Sequence, residues 1–139
     1  LITDDSEIAE RFEQRSSQLH LTRNNVFALT AFETAYASGA PWLDQLLDLL
    51  AANVRLLQET LPPEIALVDL QGTYLAWLDC RQAKITGKPN EFFIEKARVA
   101  MNDGAWFGKG GEGFVRFNFG CPRSLIEEAL GKMKSALEK

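Results

Sequence analysis

Apolar positions change their period along this chain. Over roughly its first sixty residues they recur at helical spacing, then short runs with a two-residue period appear, and helical spacing returns after Ser124. Asp4, Asp5 and Ser6 offer N-caps for a first helix over about 6–17, and Asp4 with Glu7 has capping-box spacing. Only Ile8, Ala9 and Phe12 form its apolar side, so the helix reads as weakly amphipathic and exposed. Residues 20–25 read as a break, with His20 as a surface or loop residue. Residues 26–38 form a second helix, apolar on more than one side and therefore expected between layers or at an interface. Gly39 fits its C-cap, and Pro41 opens a third helix running to about residue 60. Leu43, Leu46, Leu47, Leu50, Val54, Leu57 and Leu61 give that helix a regular stripe expected in the core, and Pro62 and Pro63 end it.

Residues 65–70 and 73–79 read as two strands around Gln71 and Gly72, with Gly72 marking the turn. In the second, Tyr74, Ala76 and Leu78 share one face, and Leu75, Trp77 and Asp79 share the other. A polar loop over 81–89 leads to Asn90, a candidate cap for a helix over about 91–98 with Phe93 and Ala97 inward. A short strand is expected over 99–101. Ser124 and Glu127 have capping-box spacing for the last helix, whose stripe is Ile126, Ala129, Leu130, Met133 and Leu137. Lys132, Lys134 and Lys139 favour its C-terminal end. The fold class is α+β: a small, mainly antiparallel sheet covered by helices on one side.

Between these elements lies GAWFGKGGEGFVRFNFGCPRS, residues 104–124. Gly108, Gly110 and Gly113 match G-x-G-x-x-G, but a strand over 114–119 follows them, so no helix N-terminus is available for a pyrophosphate. Gly110 and Gly111 are expected instead to supply a hairpin turn with positive φ. In the strand, Val115, Phe117 and Phe119 face one way; Phe114, Arg116 and Asn118 face the other. Arg116 is a permanent cation in an apolar strand. Its planar fork suits a carboxylate or phosphate in two-point contact, but on pattern alone a structural ion pair or a solvent-facing strand is the preferred account.

Composition narrows the function. The 139 residues suffice for one domain with a core, with 46% hydrophobic and 24% charged positions. A net charge of −4 without a basic cluster argues against nucleic acid or an anionic membrane as partner. No apolar run approaches the roughly 20 residues that span a bilayer. Cys80 and Cys121, the only cysteines, suggest a reducing compartment, and the single histidine excludes a His-rich zinc site. There is no G-x-S-x-G, no P-loop and no cluster of metal ligands. Asp103 and Glu112 flank the glycine-rich turn and read as solvated turn residues.

The ordered set of segments is more informative than any single motif. Residues 97–137 carry Ala105-Trp106-Phe107-Gly108, then Gly111 to Arg116 as GEGFVR, then Cys121-Pro122-Arg123. Upstream stand Gly72 to Asp79 as GTYLAWLD, Asn24 to Phe27 as NNVF, and Ala40 to Leu47 as APWLDQLL. This set resembles the C-terminal end of fold-type I pyridoxal-phosphate enzymes of the aminotransferase class I and II group, nearest to the MalY/PatB-type cystathionine β-lyases.

The resemblance implies the C-terminal small domain of the PLP-dependent transferase fold over 41–139, with 1–40 as the end of the large domain and connecting helices. It implies that Arg116 binds the substrate α-carboxylate, with Trp106 and Phe107 near the same pocket and Tyr74 and Trp77 facing the substrate side. It implies pyridoxal 5′-phosphate as cofactor, an amino-acid substrate, a cytoplasmic homodimer, and partial exposure of helix 26–38 in a fragment. The family's Schiff-base lysine would lie upstream of Leu1, since no lysine here has the Ser/Thr-x-x-Lys context, so the chain alone is expected to be inactive. The implied reaction is β-elimination from cystathionine or cysteine to pyruvate, ammonia and a thiol. An aminotransferase fragment is the nearest alternative. A free-standing binding or regulatory module is the other, since MalY-type proteins are associated with regulation through protein contacts.

Overall fold

The computed structural model describes residues 3–21 and 25–138. Residues 22–24, within the expected break and the NNVF segment, lie outside the described residues, as do Leu1, Ile2 and Lys139. Two compact units emerge, Leu1–Asp44 and Gln45–Lys139.

The first unit holds α1 (Ser6–Gln18), α2 (Val26–Ser38) and the start of α3 (Ala40–Thr60). Asp5, not Asp4, caps α1: its Oδ1 accepts from the Glu7 and Ile8 amides at 2.9 and 3.1 Å. His20, exposed as expected, takes a left-handed φ of 55° just beyond α1. Asn25 caps α2, and Gly39 occupies its C-cap with a right-handed φ of −79°. α2 buries no residue, with Phe27 and Tyr36 80% and 82% exposed, so it is not covered between layers and instead shows the exposure expected of it in a fragment. A helix apolar all round needs cover on every side, and the described residues do not provide it.

The second unit contains β1 (Ala66–Leu67), β2 (Leu75–Asp79), α4 (Pro89–Lys96), β3 (Asn102–Asp103), β4 (Phe114–Asn118) and α5 (Arg123–Leu137). The strands form one antiparallel sheet in the order β1-β2-β4-β3. Alternation sends Ala76, Leu78, Val115 and Phe117 to one buried face. Leu56 and Leu57 of α3, Phe93 of α4, and Ile126, Leu130 and Met133 of α5 join them in one core. The expected α+β class with helices on one side of the sheet therefore holds.

Several boundaries differ for local reasons. The leucine stripe of α3 reaches the core only in its second half, for Leu43 and Leu47 are exposed. The first expected strand shrinks to two residues, and the left-handed residue before β2 is Thr73 (φ 67°) rather than Gly72. Pro89 opens α4, because its missing N–H and fixed φ suit a first turn, so Asn90 does not cap it. Pairing falls on Asn102 and Asp103 instead of 99–101. Pro122 is the N-cap of α5, and Glu127 pairs with Arg123 at 2.7 Å instead of closing a capping box with Ser124.

One polar group inside the core was not foreseen. Asn53 on α3 is 2% exposed, and its Nδ2 donates to the carbonyls of Phe119 and Cys121 at 3.0 Å each. These bonds tie the end of β4 to α3 and satisfy two acceptors that the core would otherwise strand. Replacing Asn53 with Leu keeps the volume and removes both donors. The expected loss is about 1–3 kcal/mol, the cost of stranding buried acceptors, read as a lower urea midpoint with an unchanged slope.

Candidate functional site

The face of the sheet opposite the core carries the candidate chemistry. Register places three residues in a row across three strands, Trp77 on β2, Arg116 on β4 and Asn102 on β3. Cross-strand neighbours on one face lie close enough to interact directly. Arg116 is half-buried. Its Nη2 donates to Asn102 Oδ1 at 3.0 Å, and its guanidinium lies 4.6 Å from the centre of the Phe107 ring. Its Nε is buried with no hydrogen-bond partner. No ion pair engages Arg116 among the described residues, so the structural ion pair is not what holds it.

A second arginine on this face shows the contrast. Arg81 donates from Nε and Nη2 to the two carboxylate oxygens of Asp79 at 2.9 and 2.7 Å, and its guanidinium lies 4.7 Å from the centre of the Phe114 ring. Trp77 links the two: it stacks on Phe114 at 5.8 Å and meets Phe107 edge-on at 5.4 Å. The face is thus an aromatic row with an arginine at each end. One arginine is neutralised by an acid; the other has only a neutral amide.

The segment before β4 sets this geometry. Asp103 caps a 3₁₀ turn over Gly104–Phe107, its Oδ1 accepting from the Ala105 amide at 3.1 Å. Its side chain is only 4% exposed, with Lys88 Nζ 3.4 Å from Oδ2, so Asp103 is not the solvated turn residue expected. Glu112 is exposed, and its Oε2 accepts from the Gly110 amide. Gly104 and Gly111 cross so closely that a Cβ on either would stand 2.3 or 2.1 Å from the other's carbonyl oxygen. That contact, not a positive φ, requires Gly111; the glycines of this run with positive φ are Gly108, Gly110 and Gly113. The expected turn at Gly110 and Gly111 is therefore half right. A strand, β4, and not a helix follows the glycine run, so the dinucleotide fingerprint stays rejected.

The structure brings Arg116, Phe107 and Trp77 together. Trp106 sits on the same 3₁₀ turn but is 67% exposed. Tyr74 is not brought to Arg116: it precedes β2 at the Ala76 and Leu78 parity, with its ring 3.2 Å from where a Cβ on Gly120 would stand. Asn102 escaped sequence reading. Its only signal is the pairing of a two-residue strand with β4, which has no period to detect. Cys80 is buried, and that burial, with the nearby Asp79 charge, pushes its thiol up to about 12, away from the thiolate a nucleophile needs. Among the described residues every lysine is exposed, and no group of acids, histidines and cysteines could hold a metal ion. No helix in them is long and apolar enough to cross a membrane.

No protein-family model matches the chain. Individual proteins do. Cystathionine β-lyase PatB of Bacillus subtilis is 32% identical over 94% of the chain and 36% of its own length. Protein MalY of Escherichia coli is 40% identical over 84% of the chain and 31% of its own length. The chain thus spans about a third of the curated relatives it matches. Cystalysin from Treponema denticola, solved with a pyridoxal 5′-phosphate cofactor, superposes with a TM-score of 0.86 at 34% identity, over 99% of this chain and 36% of that one.

The Asp79–Arg81 pair has a pH signature. The hydrogen bond from Arg81 is the main cause that holds the Asp79 carboxyl below its ordinary 3.8. A depressed folded value gives stability that is present above the unfolded value and lost as pH falls through the folded one. Wild type should thus lose its advantage over Asp79→Asn as pH drops below about 4. The effect should be small, because Arg81 is solvent-exposed and screened. Urea midpoints of both proteins between pH 6 and 2 check this; a constant difference would refute it.

Proposed function

Starting from the chain's homology to the MalY/PatB-type cystathionine β-lyases, whose C-terminal part it matches, we propose that it is part of a PLP-dependent carbon–sulfur β-lyase and contributes Arg116 as the binding group for the substrate α-carboxylate. The observation that carries this is the state of Arg116: a half-buried cation with no acidic partner among the described residues and a buried, unbonded Nε. A buried donor without an acceptor is costly, and a carboxylate supplies two acceptors and the missing charge together. The aromatic row beside it excludes water from one side of the guanidinium, which strengthens such a contact. Trp106 stands nearby on the 3₁₀ turn, where it would line the entrance. Tyr74 precedes β2 at the parity of the core face and lies against Gly120, so it has no part in this reading of the site.

When bound, PLP supplies the electron sink that lets an amino acid lose its α-proton and expel a Cβ thiol. This chain's described residues do not fit an anchoring role for it. A Schiff-base lysine needs a desolvated setting, and every described lysine is exposed. The chain therefore takes a substrate-binding part: Arg116 holds one end of the amino acid and so restricts which Cα bond can align for cleavage. In this reading residues 1–40 end the large domain and 41–139 form the small one, a division close in sequence to the boundary between the two compact units after Asp44. A cytoplasmic homodimer acting on an amino acid goes with the same reading and rests on the homology.

Two measurements test it. In the full-length enzyme, Arg116→Ala should lower kcat/KM for pyruvate release about 100-fold or more, the loss of two charge-assisted hydrogen bonds of about 1.5–3 kcal/mol each. Arg116→Lys, which keeps the charge and loses the fork, should fall between. Unchanged kcat/KM would remove Arg116 from the site. Separately, the 139-residue chain treated with PLP and borohydride should show no stoichiometric adduct by intact mass; one adduct on a single lysine would overturn the division of labour.

A further inference from the structure

The contacts of Arg116 leave one question open, namely what fixes the rotation of its guanidinium. The guanidinium carbon lies over the Phe107 ring, 4.6 Å from its centre. A cation–π contact of this kind holds the charge over the ring but is only loosely directional, so it does not fix the rotation. The Asn102 hydrogen bond at 3.0 Å is the one directional contact, and the backbone pairing of Asn102 with Arg116 places it there. We propose that Asn102 is a positioning residue for substrate binding. Its neutral Oδ1 orients the guanidinium without neutralising it, and so leaves the full positive charge for the incoming carboxylate. This rests on the carboxylate-binding reading of Arg116.

The same sheet face supplies the comparison. Arg81 is oriented by an acid, Asp79, which occupies both Nε and Nη2. An arginine held that way has its charge matched and its two-point edge filled, so it is closed to a second carboxylate. Arg116 is held by one acceptor on Nη2 alone, and its remaining donors stay uncommitted, Nε among them. An amide is the side chain that meets both demands, since it has a carbonyl to accept and carries no charge. The backbone around Asn102 is held as firmly as its side chain. Asp103 caps the 3₁₀ turn that follows, and the Gly104–Gly111 crossing pins that turn against the loop before β4. Asn102 and Phe107 are thus delivered by one short segment to two sides of the same guanidinium.

The decisive variant is Asn102→Asp. It is isosteric and bonds Arg116 at least as well, so a merely structural hydrogen bond would be preserved. If Asn102 acts by staying neutral, Asp should raise the KM of the amino-acid substrate tenfold or more, with kcat changed less than about threefold. Asn102→Ala should raise KM several-fold by freeing the rotation. A second readout needs no cofactor. Propionate titrated into the cofactor-free full-length protein, followed by the ¹⁵N shifts of the Arg116 guanidinium, should bind at least tenfold more weakly to the Asp variant. Wild-type KM and wild-type propionate binding in Asn102→Asp would overturn the proposal, and should that variant not fold, wild-type values in Asn102→Ala would do so. Arg116→Ala, measured in parallel, separates the two claims. If it too leaves KM and propionate binding unchanged, the carboxylate reading itself has failed; if it abolishes binding while the Asn102 variants behave as wild type, only the role of Asn102 is lost.

Discussion

Strand β4 is hydrogen-bonded on both edges, to β2 through five residue pairs and to β3 through two, and both faces of the sheet depend on that double pairing. Its even residues, Phe114, Arg116 and Asn118, look away from the core; Val115 and Phe117 look into it. On the core side the strand is met by α3, α4 and α5, and Asn53 fastens its far end through two carbonyls. On the other side the pairing brings Trp77, Arg116 and Asn102 into line. A strand bonded on one edge only could offer Arg116 no such row, because its partners come from both neighbours.

The two arginines on that open face follow the same physics to opposite ends. Each lies against an aromatic ring at nearly the same distance, 4.7 Å for Arg81 and 4.6 Å for Arg116. Stacking on an aromatic face lowers the cost of removing a guanidinium from water but does not balance its charge. Asp79 balances Arg81, which then serves the structure. Arg116 has no such partner among the described residues, so its remaining charge is available for recognition. An arginine near an aromatic is therefore uninformative by itself, and the presence or absence of an acid decides its role.

Much of this was legible in the sequence, and the failures are instructive. The two-residue period of 114–119 assigned both faces of β4 correctly, because alternation follows from backbone geometry alone. The cores of α4 and α5 were legible from their 3.6-residue spacing: Phe93, Ala97, Ile126, Leu130 and Met133 are all buried. Non-local facts were not. That Asn102 opposes Arg116 depends on a pairing between segments fourteen residues apart, through a strand too short to have a period. Asn53 sits beside a leucine stripe and looks like a polar residue off it; only the carbonyls of Phe119 and Cys121 reveal its use. The caps failed by a residue or two where prolines overrode them, at Pro89 and Pro122. Helix α2 was read in part, since its place at an interface and its exposure in a fragment were expected while burial between layers was not met. Its composition demands cover on all sides, and the described residues leave its large side chains exposed.

Placing Arg116 on β4 rather than on a loop couples the position of its guanidinium to folding. A slip of one residue in β4 would exchange its faces. Val115 and Phe117 would then leave the core, forfeiting about 1.5–3 kcal/mol each, and the Arg116 guanidinium would enter it unpaired, at a further cost of several kcal/mol. Those penalties add, so the wrong register is excluded far more strongly than either face could exclude it alone. The guanidinium is consequently held in place by side chains it never touches. The glycine crossing before β4 works in the same direction: it fixes where Phe107 and Asn102 begin, and β4 fixes where Arg116 ends. Precision at the site therefore derives from the packing of the opposite face. A substitution that loosens Val115 or Phe117 would act on the placement of Arg116 through register, without altering any group on the open face.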